Sequence, residues 1–312
     1  MPAKVFLSIM KIAVVGCGAL GSYYGAMLCR AGHQVHFLLR SDYETVRENG
    51  VAIKSVNGNF HVRPECARDP EDIGHADLVL VCLKTTANHV FPQLLPPLAG
   101  PETSVLTLQN GLGNEAAVAA VVGAEKTLGG ICFVCLNRVA PGRIRHMAHG
   151  TVVIGEYSGP PKPRTQHIWK IIEGSGVPCK MAANLEQARW EKLVWNIPFN
   201  GLGVAGAKSK VCLTTDVLLS DAHWEQLVSE LMMEIIAIAR AKGLEIPESA
   251  ADFQISRTRQ MGAYKASTLI DFEQGRPLEL ESLFLAPLRE AHRAGVPCPR
   301  LEALCATLKK MS

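Results

Sequence analysis

Apolar positions along this chain keep one rhythm to about residue 182 and another after it. In the first part, short apolar runs (KIAVV at 11–15, ADLVLVCLK at 76–84, TSVLTLQNG at 103–111) alternate with stretches of helical character. Runs that are apolar at nearly every position suit strands buried on both faces of a parallel sheet. From Asn184 the apolar residues recur at helical spacing. HWEQLVSELMMEIIAIARAKG at 223–243 is the longest stretch, and further helices are expected over 248–262, 280–294 and 299–310. The pattern predicts an α/β domain over 1–182 and an all-α domain over 183–312. A cleft between two such domains is a usual place for a small ligand. The 223–243 helix is either the core of its domain or a dimer face, so a homodimer is compatible with the chain.

The first apolar run leads into GCGALG, Gly16–Gly21. SYYGAMLCRAG then reads as a helix ended by Gly32, and HQVHFLLR as a second strand finishing at Arg40. Strand, G-x-G-x-x-G, helix and strand within about 30 residues form the context that a Rossmann-like dinucleotide fingerprint requires. Gly16 permits the tight turn, Gly18 lets the backbone approach a pyrophosphate, and Gly21 lets the helix sit close to the sheet. Cys17, Ala19 and Leu20 complete the candidate cofactor set, at a helix N-terminus whose free N–H groups suit phosphates. The second strand ends on Arg40-Ser41, where an NAD site usually carries a carboxylate for the ribose. A guanidinium and a hydroxyl there point to the 2′-phosphate of NADP(H), with Asp42 as the competing ribose ligand. Lys84 and Asn110 end the third and fourth strands, on the edge where open α/β sheets bind ligands. Asn110 is a candidate for contact near the nicotinamide, against its reading as a turn residue in Asn-Gly.

Residues 126–157 alternate in β fashion and contain Cys132-x-x-Cys135 and His146-x-x-His149. The Cys pair lies in an apolar run, where free Cys usually acts as a small buried hydrophobe, and the spacings are shorter than the common zinc pattern. No metal is expected. Net charge is +3 without a dense basic run, which argues against nucleic acid and anionic membrane surfaces. No apolar stretch reaches bilayer length. MPAKVFLSIMKIAVVG faintly resembles a leader, but Lys11 interrupts it and a structural turn follows, so Met10 is an alternative start with 1–9 as an extension. Ten Cys without a disulfide framework favour a reducing, cytoplasmic setting.

In RWEKLVWNIPFN (189–200), Lys192, Asn196 and Asn200 lie four apart, on one helix face among aromatic and aliphatic neighbours. A cation and two amides on a helix otherwise fit for burial need polar company. GAYKASTLIDFEQGRPLELE (262–281) supplies a second polar cluster, with Ser267 and Asp271 one helical turn apart and Glu279 beyond Gly-Arg-Pro. Each of those residues can also be read as a cap or a surface charge.

The chain resembles the ketopantoate reductase family along nearly its whole length. The likeness lies in GCGALG, the Leu83-Lys84 strand end, TLQNG, Lys192-x3-Asn196-x3-Asn200, and Ser267-x3-Asp271 followed by GRPLELE. It implies that Lys192 is the catalytic general acid and that Asn196, Asn200 and Ser267 bind substrate. It also implies that Asn110 touches both cofactor and substrate, and that Lys84 and Glu279 reach the cofactor. The family often has Ser-Met where this chain has Ser267-Thr268, and WNIPFNGLG is rich in aromatics. Both departures fall at the implied substrate, a small 2-keto acid. Hydride transfer to a keto carbonyl puts charge on oxygen, which an ammonium both stabilises and protonates. The alternatives are a reductase of another branched 2-keto acid and an NADP(H) sensor without turnover.

Overall fold

The computed structural model describes residues 8–207 and 213–312; of the extension expected at 1–9, residues 1–7 lie outside the described residues. The first half alternates strand and helix: β1 (Lys11–Val15), α1 (Ala19–Arg30), β2 (Gln34–Leu38) and α2 (Tyr43–Asn49) come first. Three short strands follow, β3 (Val51–Ser55), β4 (Phe60–Val62) and β5 (Glu65–Ala67), and then the single turn α3 (Pro70–Ile73). Next come β6 (Leu78–Val81), α4 (Phe91–Leu94), β7 (Ser104–Thr107) and α5 (Asn114–Val122). The half closes with the long strands β8 (Thr127–Ala140) and β9 (Arg143–Glu156), then α6 (Pro163–Gly174) and β10 (Cys179–Met181). The sheet runs β4-β3-β9-β8-β7-β6-β1-β2-β5, with β10 alongside β9.

The central strands β2, β1, β6, β7 and β8 are parallel, as their apolar composition requires. Ile12 and Val14 enter the core on one face, Ala13 and Val15 the core on the other, and none of the four is more than 1% exposed. The sheet departs from a purely parallel one at β3 and β4 and at β8 and β9, the latter pairing antiparallel across a tight Ala140–Arg143 connection. Strands β6 and β7 stop short of the expected ends at Lys84 and Gly111, leaving those residues in the loops that follow.

Backbone contacts divide the chain into two compact units, Met1–Gln109 with Asn114–Leu185, and Asn110–Gly113 with Glu186–Ser312. The second unit is helical: α7 (Leu185–Ala207), α8 (Thr215–Ser220), α9 (Ala222–Ala241), α10 (Ser249–Arg259), α11 (Ser267–Glu273), a π-turn (Glu281–Leu285), α12 (Ala286–Ala294) and α13 (Pro299–Lys309). Val228, Leu231, Met232, Ile235 and Ile236 of α9 share one core with Trp190, Leu193, Val194 and Ile197 of α7. The long apolar helix is therefore core. Asp221 starts it by accepting hydrogen bonds from the backbone N–H groups of His223 and Trp224.

The paired Cys and His residues serve the strands that carry them. Cys132 and Cys135 are buried on β8, and His146 Nδ1 lies 2.8 Å from Ser55 Oγ of β3, joining the neighbouring strands.

At the end of β9, Glu156 is 3% exposed and accepts hydrogen bonds from Arg164 and Thr165 at the start of α6. Burial alone would raise its carboxyl pKa. The hydrogen bonds from Arg164 and Thr165 and the charges of Arg164 and Lys162 outweigh that and hold it below its ordinary value of 4.5. A carboxyl depressed in the fold adds stability above its unfolded pKa and loses it as pH falls through the folded one. Glu156→Gln is expected to cost about 1–3 kcal/mol at neutral pH. Thermal denaturation against pH should show the gap from wild type closing as the medium is acidified below the carboxylate range.

Candidate active site

The turn after β1 is built for close approach. Gly16 has φ +98°, and a Cβ there would lie 2.4 Å from the backbone nitrogen of Leu83, so only glycine fits between the ends of β1 and β6. Gly18 is exposed and precedes α1 as its N-cap without any side-chain capping bond, and the first turn of α1 carries no acidic residue. Ala19, Leu20 and Gly21 form that first turn. Cys17 donates through Sγ to the carbonyls of Val14 and Leu38, at 3.4 and 3.6 Å. Burial pushes its thiol pKa well up, helped by Cys82, Cys66 and Asp42, so it stays neutral next to a site suited to anions.

Arg40 and Ser41 are exposed just past the second strand. Asp42 is buried and engaged: Arg138 of β8 donates to its Oδ2 from Nε at 3.0 Å and to its Oδ1 from Nη2 at 2.5 Å, and Ser41 Oγ donates to it at 3.0 Å. A carboxylate held this way has little acceptor capacity left for a ribose. Arg138 carried no local signal, since the pair is separated by 96 residues. Exposed Lys84 stands at the N-cap position of a 3-10 turn over Thr85–Val90. Gln109, 3% exposed, binds the strand ends together, its Nε2 donating to the Leu83 carbonyl at 3.0 Å and to Asn88 Oδ1 at 2.8 Å.

Within the second unit, α7 grips the Asn110–Gly111 turn. Lys192 Nζ donates to Asn110 Oδ1 at 2.6 Å, and Arg189, one turn earlier and 5% exposed, donates to the Gly111 carbonyl at 3.2 Å. Ser282 closes the turn from the other side by accepting from the Leu112 N–H at 2.9 Å. Lys192 is half-buried, and Trp190, Leu193, Val194 and Ile197 around it are at most 1% exposed. The hydrophobic packing fixes the helix, and the helix aims the ammonium. Arg189 was legible in principle: it stands three residues before Lys192, which places both cations on one side of α7.

Asn196 and Asn200 are 5% and 3% exposed. Asn200 turns its amide to α11: Oδ1 accepts from Ser267 Oγ at 3.3 Å, Thr268 N–H at 3.1 Å and Thr268 Oγ at 2.9 Å, while Nδ2 donates to the Asn196 carbonyl at 3.0 Å. It thereby satisfies the first turn of α11 from a distant helix. Thr268, one of the departures noted above, supplies two of those three bonds. Asp271, 3% exposed, pairs with Arg276 at 2.7 Å, so the Gly-Arg-Pro break is tied back to α11, and Glu279 is buried at 5%. Ser267 is brought to Asn200, and Lys192 to Asn110.

A dinucleotide-type glycine turn on a mixed sheet, followed by a helical unit with a half-buried Lys–Asn pair, is the arrangement of a dinucleotide-dependent oxidoreductase. Two family models, "Ketopantoate reductase PanE/ApbA" over residues 12–159 and its C-terminal partner over residues 184–312, match the chain. The chain is 39% identical over 305 residues to the 2-dehydropantoate 2-reductase of Nostoc sp., covering 96% of this chain and 94% of that one. The crystal structure of 2-dehydropantoate 2-reductase from Geobacter metallireducens superposes with a TM-score of 0.93 at 44% identity, over 97% of this chain and 100% of that chain. The corresponding structure from Methylococcus capsulatus gives 0.86 at 34%, over 96% of each chain. The chain belongs to the ketopantoate reductase family and is an oxidoreductase.

Gly111 tests the turn that presents Asn110. Its φ is +83°, and an added Cβ would lie 2.4 Å from the Ser282 carbonyl oxygen. Gly111→Ala is expected to cost about 1–2 kcal/mol from backbone strain alone. Calorimetry should read this as a lowered Tm; an unshifted Tm would mean that the turn is not held as described.

Proposed function

We propose that this chain reduces 2-dehydropantoate (ketopantoate) to pantoate with NADPH, with Lys192 as general acid. The observation that carries the reading is the 2.6 Å bond between Lys192 Nζ and Asn110 Oδ1, formed in a chain whose matched relatives bear the name 2-dehydropantoate 2-reductase. Bound NADPH supplies the hydride that attacks the keto carbon.

Residues of the chain do the rest. The uncapped start of α1 and the exposed Gly18 cradle the pyrophosphate, and Arg40 with Ser41 takes the 2′-phosphate. Lys84, Asn110 and Glu279 complete the cofactor set. Lys192 Nζ donates a hydrogen bond to the substrate carbonyl oxygen and passes it a proton as charge develops there, leaving a neutral amine and a hydroxyl. Asn110 keeps the ammonium aimed until substrate replaces or shares that bond. Asn196, Asn200 and Ser267 line the substrate position; Asn200 also sets Ser267 by its bonds to the first turn of α11. A homodimer and a cytoplasmic setting accord with this reading; among the described residues no helix is long and apolar enough to cross a membrane.

A second reading has one observation in its favour. The Thr268 hydroxyl, bonded to Asn200 at the substrate position, changes the shape and polarity of that wall, which favours a related branched 2-keto acid. Steady-state oxidation of NADPH against ketopantoate and a panel of 2-keto acids separates the two. Tight NADPH binding with no turnover of any of them would instead mark a sensor.

Lys192→Ala is expected to lose roughly two to four orders of magnitude in kcat. Near-normal turnover would sink its assignment. Arg40→Ala should weaken NADPH by roughly 10- to 100-fold and leave NADH nearly unchanged, since only the former offers a charge-assisted phosphate contact. A Cβ at Gly18 meets nothing within 4 Å in the protein. Gly18→Ala should therefore keep the wild-type Tm and yet bind NADPH more weakly by titration calorimetry; unchanged binding would remove this glycine from the cradle.

A further inference from the structure

Among the described residues, one group outside the site brings together three different metal-ligating side chains: His292, Cys298 and Glu302, whose ligand atoms all lie within 4.8 Å of one another. Their backbone is pinned. Gly295 N–H donates to the His292 carbonyl at 3.2 Å and Val296 N–H to the Ala291 carbonyl at 3.0 Å, ending α12. Glu302 N–H donates to the Cys298 carbonyl at 3.0 Å, which fixes Cys298 and Glu302 at the first turn of α13. Cys298 is 1% exposed, whereas the side chains of His292 and Glu302 are 58% and 55% exposed, so a buried thiol lies beside two solvent-facing ligand groups. His292 Nε2 and Glu302 Oε1 are 3.0 Å apart.

We propose that His292, Cys298 and Glu302 form a binding site for a divalent cation of the zinc class, with water as the fourth ligand. Thiolate, imidazole and carboxylate are the ligands such an ion prefers. A tetrahedral ion with bonds of about 2.0–2.3 Å needs neighbouring ligand atoms about 3.5 Å apart, so small side-chain movements close the trio. The ion replaces the hydrogen-bonding proton between His292 and Glu302, which leaves to solvent, and Cys298 likewise releases its thiol proton to solvent as the sulfur–metal bond forms. The surroundings are negative. Burial, then Glu234 and Glu302, push the Cys298 thiol up to about 11, and the same carboxylates attract a cation. Glu234 itself is held beside the site by the backbone N–H groups of Arg300 and Leu301, at 2.9 and 2.8 Å. The bound ion clasps the end of α12 to the start of α13.

The test is a titration of the full-length, reduced, metal-stripped protein with Co2+, followed by displacement with Zn2+. The expected result is a single equivalent bound, with a sulfur-to-cobalt charge-transfer band in the near ultraviolet and intense visible bands of four-coordination, both bleached by Zn2+. Cys298→Ser should abolish the charge-transfer band while keeping wild-type reductase turnover. His292→Ala and Glu302→Gln, at exposed positions that should fold normally, should each weaken Co2+ by about tenfold or more. No charge-transfer band in the wild type overturns the proposal. So does a band that persists in Cys298→Ser, or an affinity unmoved by His292→Ala and Glu302→Gln.

Discussion

The bond from Lys192 to Asn110 sets the terms for everything around it. An ammonium on a helix packed by buried Trp190, Leu193 and Val194 is tolerated only if its donors are used, because unpaired charge at such a place is costly. Among the partners that meet this need is the neutral amide oxygen of Asn110, at 2.6 Å. Arg189 and Ser282 then hold the turn that carries Asn110, so the amide is placed by two elements of the second unit, α7 and the π-turn.

Asn200 extends the same logic. Its single carbonyl oxygen takes three donors from the start of α11, and its amide nitrogen returns to the preceding turn of its own helix. One side chain thereby couples α7 to the segment bearing Ser267. Pro198 lies inside α7 and cannot donate to the carbonyl one turn before it. The carbonyl left without that donor is Val194's; two residues beyond the proline, Asn200 Nδ2 donates to the Asn196 carbonyl.

Features with a short sequence range were legible: the glycine turn between β1 and α1, the parallel core strands, and the Lys192, Asn196 and Asn200 face, all of which follow from local period and backbone conformation. The helical second unit was legible for the same reason. What the period cannot reveal is which distant residue answers a given polar group. Arg138 on Asp42, and Thr268 on Asn200 across 68 positions, are pairings of that kind. Strand ends also moved: Lys84 and Asn110 belong to the loops beyond β6 and β7, because Gln109 binds the strand ends with side-chain bonds that a hydrophobic pattern does not report. The short strands β3, β4 and β5 are weakly patterned at three to five residues each and take their pairing from longer neighbours.

Gln109 and Asn110 are covalent neighbours that belong to different compact units, and the four residues Asn110–Gly113 are the only part of the first half that clusters with the second. The helical unit is therefore discontinuous in the gene although it looks like a simple C-terminal block. A homologue's block from Glu186 onward, grafted by a single crossover, would meet a turn it did not co-evolve with. Recombination that respects the physical unit must exchange two segments, one of them four residues long.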